Sequence, residues 1–501
     1  MNNYSIQKKV YQIRKANKSI GLCHGVFDLI HYGHLKHLEA AKNKCDYLFV
    51  SITSDEYIKK GPMRPIHKNN ERIKFLQSLK FVDYVFVASG ESGIDSINLI
   101  KPDFYFKGSD YKNNSLDKTK KIYKEINAIK KNNGKVIYTD EKHMSSSKII
   151  NEFNLALNDK QSKFIHKIKK ENSYDGIIKS LNELKKTKVL VIGDLILDNY
   201  IFGEVMGKSG KEPHMVFNQY KEEMYIGGSG VVANHLSDFV NKITLISDSG
   251  EEKSIKKLLK KNIKKNISHI NLNLGKNLRS SIKTRYIDLL SNYKLFGSYT
   301  IPNLQIKKFY KLLNFAVNKH VAKNDLVIVA DFSNNFFDSI SLKKIKNSGK
   351  FICGMSQKNS NNSSFHTLDH LKGFDFICIN EGELRGELRD KKSDIEFIAK
   401  NYLKKNKLKY LAVTKGIDGS ILIDKKLNVY SCPAFNSKPV DKVGGGDSML
   451  SILSLLLFNK INPMVALLIA SLIASNVVGN IGNKYLASRK EIDRILEYIF
   501  K

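Results

Sequence analysis

Short apolar runs alternate with stretches of helical spacing along the whole chain. In the first 150 residues the runs are Ile20–Cys23, Tyr47–Ile52, Tyr84–Val87, Phe104–Phe106 and Val136–Tyr138. Strands of that length, each followed by a helix-length segment, predict a parallel sheet wound by helices. A new series begins at Lys188, in the run Val189–Ile192 followed by Gly193 and Asp194. It continues through Ile243–Ile246, Leu326–Ala330, Phe351–Cys353, Phe376–Ile379, Tyr410–Thr414 and Ser420–Ile423. Between the two series, residues 151–187 are rich in Lys and Asn and carry one helical pattern near Ile177–Leu184. No internal repeat relates the halves. The expectation is therefore an α/β chain of two different domains, 1–155 and 188–501, joined at 156–187 by a linker and a lead-in helix. Residues 463–482 form the most membrane-like stretch, but Ser471, Ser475, Asn476, Gly479 and Asn480 interrupt it. It is expected as a packed interior helix and not as a membrane span.

Composition narrows the classes. With 501 residues, 42% hydrophobic and 26% charged, the chain is long enough to bury two cores. Its 83 basic residues against 49 acidic give a net charge of +34. A nucleic-acid partner is one reading of such a charge, but the excess is diffuse and mostly Lys, which argues against a built nucleic-acid surface. Phosphate-rich small substrates are reason enough for a positive field. The five cysteines, Cys23, Cys45, Cys353, Cys378 and Cys432, are scattered with no C-x-x-C spacing. Neither a zinc site nor a disulfide framework is expected, and a reducing cytoplasm fits.

Chemistry concentrates first at residues 24–34, His-Gly-Val-Phe-Asp-Leu-Ile-His-Tyr-Gly-His. A strand runs into a glycine turn, and His31 and His34 follow on the first turn of a helix. Imidazole donors beside the free N–H groups of a helix start suit phosphate oxygens. A metal pair or two surface histidines are the alternatives, although one-face metal histidines usually stand four apart. Gly25, Phe27, Asp28, His31, Gly33 and His34 together resemble the signature of the cytidylyltransferase-like nucleotidyltransferases, over roughly residues 17–155. Lys60-Gly-Pro-Met-Arg64-Pro65, Lys107-Gly-Ser-Asp110-Tyr111 and Ser145-Ser146-Ser147 resemble further segments of that family. The resemblance implies that His31, His34 and Lys60 stabilise charge on the reacting phosphates. Gly25, Phe27, Arg64, Ser145, Ser146 and Ser147 would hold the nucleotide, and Lys107 and Asp110 the sugar phosphate.

The second centre is Asp441-Lys-Val-Gly444-Gly445-Gly446-Asp447, ahead of the apolar helix Met449–Phe458. Three glycines let backbone N–H groups turn toward one point, an anion hole suited to a transferring phosphoryl group. Asp447 at its mouth could take a proton from an attacking hydroxyl. A plain glycine turn capped by Asp is the alternative. The surrounding landmarks resemble the ribokinase-like carbohydrate kinases across roughly residues 188–500. These are Gly193-Asp194 with Asp198, Gly227-Gly228 with Asn234, Asn380-Glu-Gly-Glu383, and Thr414-Lys-Gly416 with Gly419. Gly445 stands where that family usually has Ala. The resemblance implies a sugar site at Asp194, Gly228 and Asn234, nucleotide contacts at Thr414, Gly416 and Gly444–Gly446, and magnesium at Asn380 and Glu383.

Several of these residues have a purely structural alternative. Asp194 could cap a turn and Glu383 could be a solvated helix charge, whereas Asn234 on an apolar helix is better explained by a ligand than by packing. Lys283 and Arg285, following a strand edge, could hold a sugar phosphate or lie on a solvated face. Asp331, after the Leu326–Ala330 run, stands where ligands meet open α/β sheets.

A sugar kinase joined to such a transferase resembles the bifunctional proteins of ADP-heptose synthesis, in the reverse of their usual domain order. His24 replaces their usual Asn. The resemblance implies phosphorylation of D-glycero-D-manno-heptose 7-phosphate at C1 by ATP. Nucleotidyl transfer to the sugar 1-phosphate would follow, with ATP or CTP as donor, magnesium as cofactor and a cytoplasmic homodimer as the working form. A different activated sugar or polyol for surface polysaccharide, or one degenerate domain kept for dimerisation or ligand sensing, are the competing expectations.

Overall fold

The structure, a computed structural model, describes residues 3–58, 65–108, 121–139, 157–250, 252–272, 280–301, 306–358, 366–436 and 439–500. It divides into two compact units, Met1–Asp159 with Glu497–Lys501, and Lys160–Leu496.

The first unit is built on strands β1 (Ile20–Gly25), β2 (Tyr47–Ile52), β3 (Tyr84–Val87), β4 (Phe104–Gly108) and β5 (Lys135–Thr139). They form one all-parallel sheet in the order β3-β2-β1-β4-β5. Both faces are buried, and the two-residue period of a strand divides the side chains between them. Leu22, Phe49, Phe86 and Tyr105 pack with the helices Asn3–Lys15, Ile94–Ile100 and Lys121–Lys131. Cys23, Val50, Val85 and Phe106 pack with the helices Tyr32–Lys42 and Asn69–Gln77. Strand order reverses at β1. The loop carrying residues 24–31 therefore leaves the sheet at its switch point, where open α/β sheets bind ligands.

The second unit contains β6 (Lys188–Gly193), β7 (Leu195–Lys208), β8 (Met215–Gly228), β9 (Lys242–Ser247), β10 (Ile267–Asn271), β11 (Ser281–Asp288) and β12 (Lys294–Thr300). After these come β13 (Leu326–Asp331), β14 (Phe351–Ser356), β15 (Phe376–Asn380), β16 (Tyr410–Thr414), β17 (Ser420–Asp424) and β18 (Val429–Cys432). Nine of them make a sheet ordered β10-β9-β6-β13-β14-β15-β16-β17-β18, parallel up to β16 and antiparallel beyond. The helices Ser229–Leu236 and Gly445–Phe458 lie against it, and Pro463–Val478 packs on the latter as a buried helix. Among the described residues no helix is long and apolar enough to cross a membrane.

The remaining four strands form a separate sheet, β12-β11-β7-β8. It departs from the sequence expectation in two ways. The apolar-run pattern does not predict the two 14-residue strands β7 and β8, whose far ends are largely exposed and mix apolar with charged residues. Lys283 and Arg285 do not follow a strand edge but lie within β11. The Lys/Asn-rich segment is also more ordered than a linker with one helix, carrying helices Asp159–Glu171 and Tyr174–Glu183.

Candidate functional site

In the first unit, His31 is the N-cap of the helix Tyr32–Lys42 and His34 its third residue, with ring centroids 4.0 Å apart. His34 Nδ1 accepts weakly from the His31 N–H at 3.4 Å. Both ring nitrogens of His31 are buried and have no hydrogen-bond partner among the described residues. Burial lowers its pKa, so the neutral ring presents one donor and one acceptor. The ring N–H and the free backbone N–H groups of the helix start can donate to an anionic ligand, while the other ring nitrogen accepts from a donor on the ligand or from water.

The loop beneath them is held by conformation and by one arginine. Phe27 has a φ of 48°, unusual for a side-chain-bearing residue, and its ring packs over Gly25 and His34. Arg72 is fully buried. It donates to the carbonyls of Val26 at 2.5 Å and Thr53 at 2.9 Å, and to Asp55 Oδ1 and Asn69 Oδ1 at 2.7 Å each. It thereby ties the ends of β1 and β2 together, a role the sequence left unmarked. Asp28 accepts from the His67 N–H at 3.1 Å. His24 bonds Ser51 Oγ at 2.9 Å.

Lys107 is not presented to a ligand as expected. Its ammonium is buried 2.9 Å from Glu125 Oε2, whose carboxylate also accepts from Tyr105 OH and the Gly93 N–H. The physical reason is the acid on the neighbouring helix, which sequence spacing did not reveal. Burial works to raise the Glu125 pKa, but Lys107 holds it below the usual range. Lys60, Arg64, Asp110, Ser145, Ser146 and Ser147 lie outside the described residues.

The second unit contains a cavity of about 1250 Å³ at the carboxyl ends of its sheet strands. Gly444, Gly445, Gly446 and Asp447 line it, together with Thr414 and Gly416, Asn380 and Glu383, and Gly228, Lys283 and Arg285. Gly444, with φ 83°, is the N-cap of Gly445–Phe458, and a Cβ there would lie 2.3 Å from Asn483 Oδ1. Only glycine fits that turn. Gly228, with φ 60°, similarly passes close to the Asp194 carbonyl. Asp447 is 8% exposed, and burial first, then the Asp198 charge, raise its pKa to about 7.

Lys283 and Arg285 occupy one face of β11, opposite Asp198 and Tyr200 of β7 in register. Arg285 Nη1 donates to Asp198 Oδ1 at 2.6 Å and its guanidinium lies over the Tyr200 ring. Asn483 Nδ2 donates to Asp198 Oδ2 at 3.0 Å. The Lys283 ammonium faces the Phe332 and Tyr299 rings, and burial lowers its pKa.

Two expected sugar contacts are absent from the cavity lining. The buried Asp194 carboxylate accepts from the Phe332 N–H at 2.8 Å. Burial and then the nearby Asp331 and Asp248 charges push its pKa far above the usual carboxylate range. It is a structural acid, and Asp198, four residues on, is the one that lines the cavity. Asn234 donates to the Asn262 carbonyl at 3.1 Å and accepts from the Lys264 N–H at 3.2 Å. The backbone after a neighbouring helix satisfies it, so packing explains this polar residue and a ligand does not. Asp331 is likewise engaged, by Ser356 Oγ at 2.7 Å and His370 at 2.9 Å.

Asn380 and Glu383 form a reciprocal capping box on the helix Glu381–Leu388, with Asn380 Oδ1 accepting from the Glu383 N–H at 2.8 Å. Glu383 still lines the cavity, and burial raises its pKa. No cluster of three or more metal-ligating side chains occurs among the described residues. One desolvated carboxylate on the wall of this cavity would fit magnesium only if most of its ligands came from a bound nucleotide's phosphates and water.

Comparison with known proteins agrees with this division. Residues 22–152 match the Cytidylyltransferase-like family model. The "Bifunctional protein HldE" of Aliarcobacter butzleri is 27% identical over 323 residues, covering 63% of this chain and 64% of that protein. The protein of the same name from Campylobacter jejuni serotype O:2 is 37% identical over 102 residues, 20% of this chain and 22% of that one. The matches thus span less than two thirds of these curated relatives. The ribokinase of Thermotoga maritima shares the fold of the second unit's class. Its TM-score is 0.50 at 16% identity, over 62% of this chain and 99% of that one. The cavity, its glycine loop and Asp447 all lie within residues 186–488, which match the pfkB carbohydrate kinase model, so the chain belongs to the pfkB family of carbohydrate kinases and carries a cytidylyltransferase-like domain ahead of its kinase domain.

Proposed function

We propose that the chain is a bifunctional enzyme of nucleotide-sugar synthesis, a sugar kinase and a nucleotidyltransferase. The observation that carries the kinase half is Asp447. It is a desolvated carboxylate with a pKa raised to about 7, set at the mouth of a glycine loop that opens a buried helix. A pKa near the working pH is what a general base needs. The acceptor hydroxyl oxygen attacks the γ-phosphorus of ATP, its proton passes to Asp447, and the bond to ADP breaks. The N–H groups of Gly444–Gly446 face the charge that grows on the phosphoryl oxygens. Lys283, and Arg285 beside its Asp198 partner, place cationic donors on the acceptor side of the cavity, which suits a sugar already carrying a phosphate. Magnesium, when bound near Glu383, neutralises phosphate charge.

In the first unit, the sugar 1-phosphate oxygen attacks the α-phosphorus of the nucleoside triphosphate and pyrophosphate leaves. The unpartnered N–H of the His31 ring and the helix start support charge stabilisation at that site. Lys60, Arg64, Ser145, Ser146 and Ser147 complete the proposed nucleotide site and Asp110 the sugar site. The favoured product is ADP-heptose, from D-glycero-D-manno-heptose 7-phosphate phosphorylated at C1. This rests on the family resemblance and on the two relatives named HldE.

The proposal includes a cytoplasmic homodimer. Strand β12 is a sheet edge exposing Leu295, Phe296 and Tyr299, and a second copy presenting the same strand would cover it.

The experiment is to incubate purified protein with a panel of sugar phosphates and ATP or CTP and read products by mass spectrometry, with sedimentation giving the oligomer. Heptose 1,7-bisphosphate and an ADP-sugar are expected. A CDP-sugar, or phosphorylation only of a different sugar, would overturn the ADP-heptose assignment, and a monomer would overturn the dimer.

A further inference from the structure

Asp441 lies three residues ahead of the glycine loop and is 4% exposed. Four groups converge on its carboxylate. Oδ1 receives the Lys294 ammonium at 2.6 Å and the Val443 N–H at 3.1 Å; Oδ2 receives Tyr200 OH at 2.7 Å and the Gly482 N–H at 3.1 Å. Lys294 opens strand β12 and Tyr200 belongs to β7, so both come from the four-stranded sheet. Val443 immediately precedes Gly444, the residue whose φ of 83° turns the chain into the helix.

We propose that Lys294 is a positioning residue for phosphoryl transfer, which neutralises Asp441 and fixes the peptide that enters the glycine loop. The inference rests on the reading of Gly444–Asp447 as the phosphoryl-transfer loop. The same oxygen, Asp441 Oδ1, holds both the Lys294 ammonium and the Val443 N–H, so the loop's entry peptide is oriented by an atom that Lys294 also orients. Burial alone would raise the Asp441 pKa, but Lys294 and Tyr200 hold it below the usual range. The carboxylate is therefore ionised. Without its ammonium the buried charge keeps its hydrogen bonds and the field of Arg285 but loses its direct ion-pair partner, at the Val443 N–H that leads into the loop meant to receive a phosphoryl group. The ammonium cancels that charge without occupying the loop.

The test uses Lys294→Met, Lys294→Arg, and Lys294→Met combined with Asp441→Asn, with steady-state kinetics of ATP-dependent phosphorylation and a thermal melt of each. Lys294→Met is expected to lower kcat about tenfold, the scale of one lost charge partner for a buried carboxylate whose ammonium partner is part-exposed, with the acceptor KM nearly constant. Lys294→Arg should keep most of the rate. Added methylammonium should restore part of it to Lys294→Met, and Asp441→Asn should restore it by removing the stranded charge. A merely structural lysine would give no methylammonium response and no recovery in the double variant. Wild-type kcat in Lys294→Met, or a double variant no better than the single one, would overturn the proposal. If Lys294→Met does not fold, the double variant, which buries no unpaired charge, carries the test against Asp441→Asn alone. Asp447→Asn separates the two ideas: full activity there means the loop reading has failed, while inactivity there beside a normal Lys294→Met defeats this inference alone.

Discussion

Arg285 Nη1 stands 2.6 Å from Asp198 Oδ1, and the two residues meet on adjacent parallel strands at the wall of the kinase cavity. Asn483 takes the other Asp198 oxygen at 3.0 Å, so the carboxylate is fixed in place with charge and hydrogen bonds both answered. Truncating one partner of such a pair leaves the other charge buried and alone. Arg285→Ala is therefore expected to raise the acceptor KM about tenfold to a hundredfold, with a smaller effect on the KM for ATP. Initial-rate kinetics with each substrate varied in turn checks this. An equal rise in both constants would mean that Arg285 does not belong to the acceptor side.

His31→Ala is expected to slow nucleotidyl transfer about 10²–10³-fold, the usual effect of removing one preorganised donor to a developing charge. The kinase rate should be unchanged, because the two sets of residues belong to separate compact units. Assaying the two half-reactions independently, with a supplied sugar 1-phosphate for the transferase, decides it. Stoichiometric zinc in the wild type that is lost in the variant would instead make the histidine pair a metal site.

Much of this architecture was legible because a parallel strand buried on both faces reads as a continuous apolar run. Tyr47–Ile52 and Leu326–Ala330 announce themselves in that way. The four-stranded sheet does not, since β7 carries Glu204 and Lys208 at its exposed end and β12 is exposed almost throughout. Glycine loops were equally legible, as Gly444 and Gly228 are demanded by backbone geometry. Partners across the chain were not. Asn234 reads in the sequence as a ligand contact, but the Asn262 carbonyl and the Lys264 N–H, both remote from it along the chain, satisfy its side chain. Lys107 reads as a ligand contact, but no spacing in the sequence joins it to its ion-pair partner Glu125. Lys294 is one lysine among a large basic excess, and no spacing joins it to Asp441, 147 positions away. Arg72 differs only in being an arginine, the residue type suited to several acceptors at once.

Arg72→Met should destabilise the first unit by on the order of 3 kcal/mol, because it strands the Asp55 carboxylate and the Val26 and Thr53 carbonyls that the buried guanidinium satisfies. Urea denaturation monitored by loss of transferase activity should show a lower midpoint, while the midpoint for kinase activity stays put. A transferase midpoint equal to that of the wild type would show that the loop after β1 is held by its packing alone.

The pH dependence of phosphorylation follows from Asp447. Its pKa of about 7 is raised by burial and next by the Asp198 charge. As the proposed base, Asp447 must be ionised to accept a proton, so kcat/KM should fall about tenfold per pH unit below about 7 and level off above it. Asp198→Asn removes one of the charges that raise this pKa, and should move the acid limb to lower pH. Stability runs the opposite way. The folded-state pKa lies above the ordinary 3.8, so the contribution of this group is fully present below about 4 and is lost as pH rises through about 7. Asp447→Asn, which cannot ionise, should therefore melt higher than the wild type at pH about 8 and close to it at pH about 4, while its phosphorylation rate falls about 10²–10⁴-fold. Differential scanning calorimetry at the two pH values, beside the rate profile, tests both halves together. A variant that is inactive yet no more stable at the higher pH would mean that the carboxylate is not held against its ionisation in the folded enzyme, and the base would then owe its position, not its pKa, to the cavity.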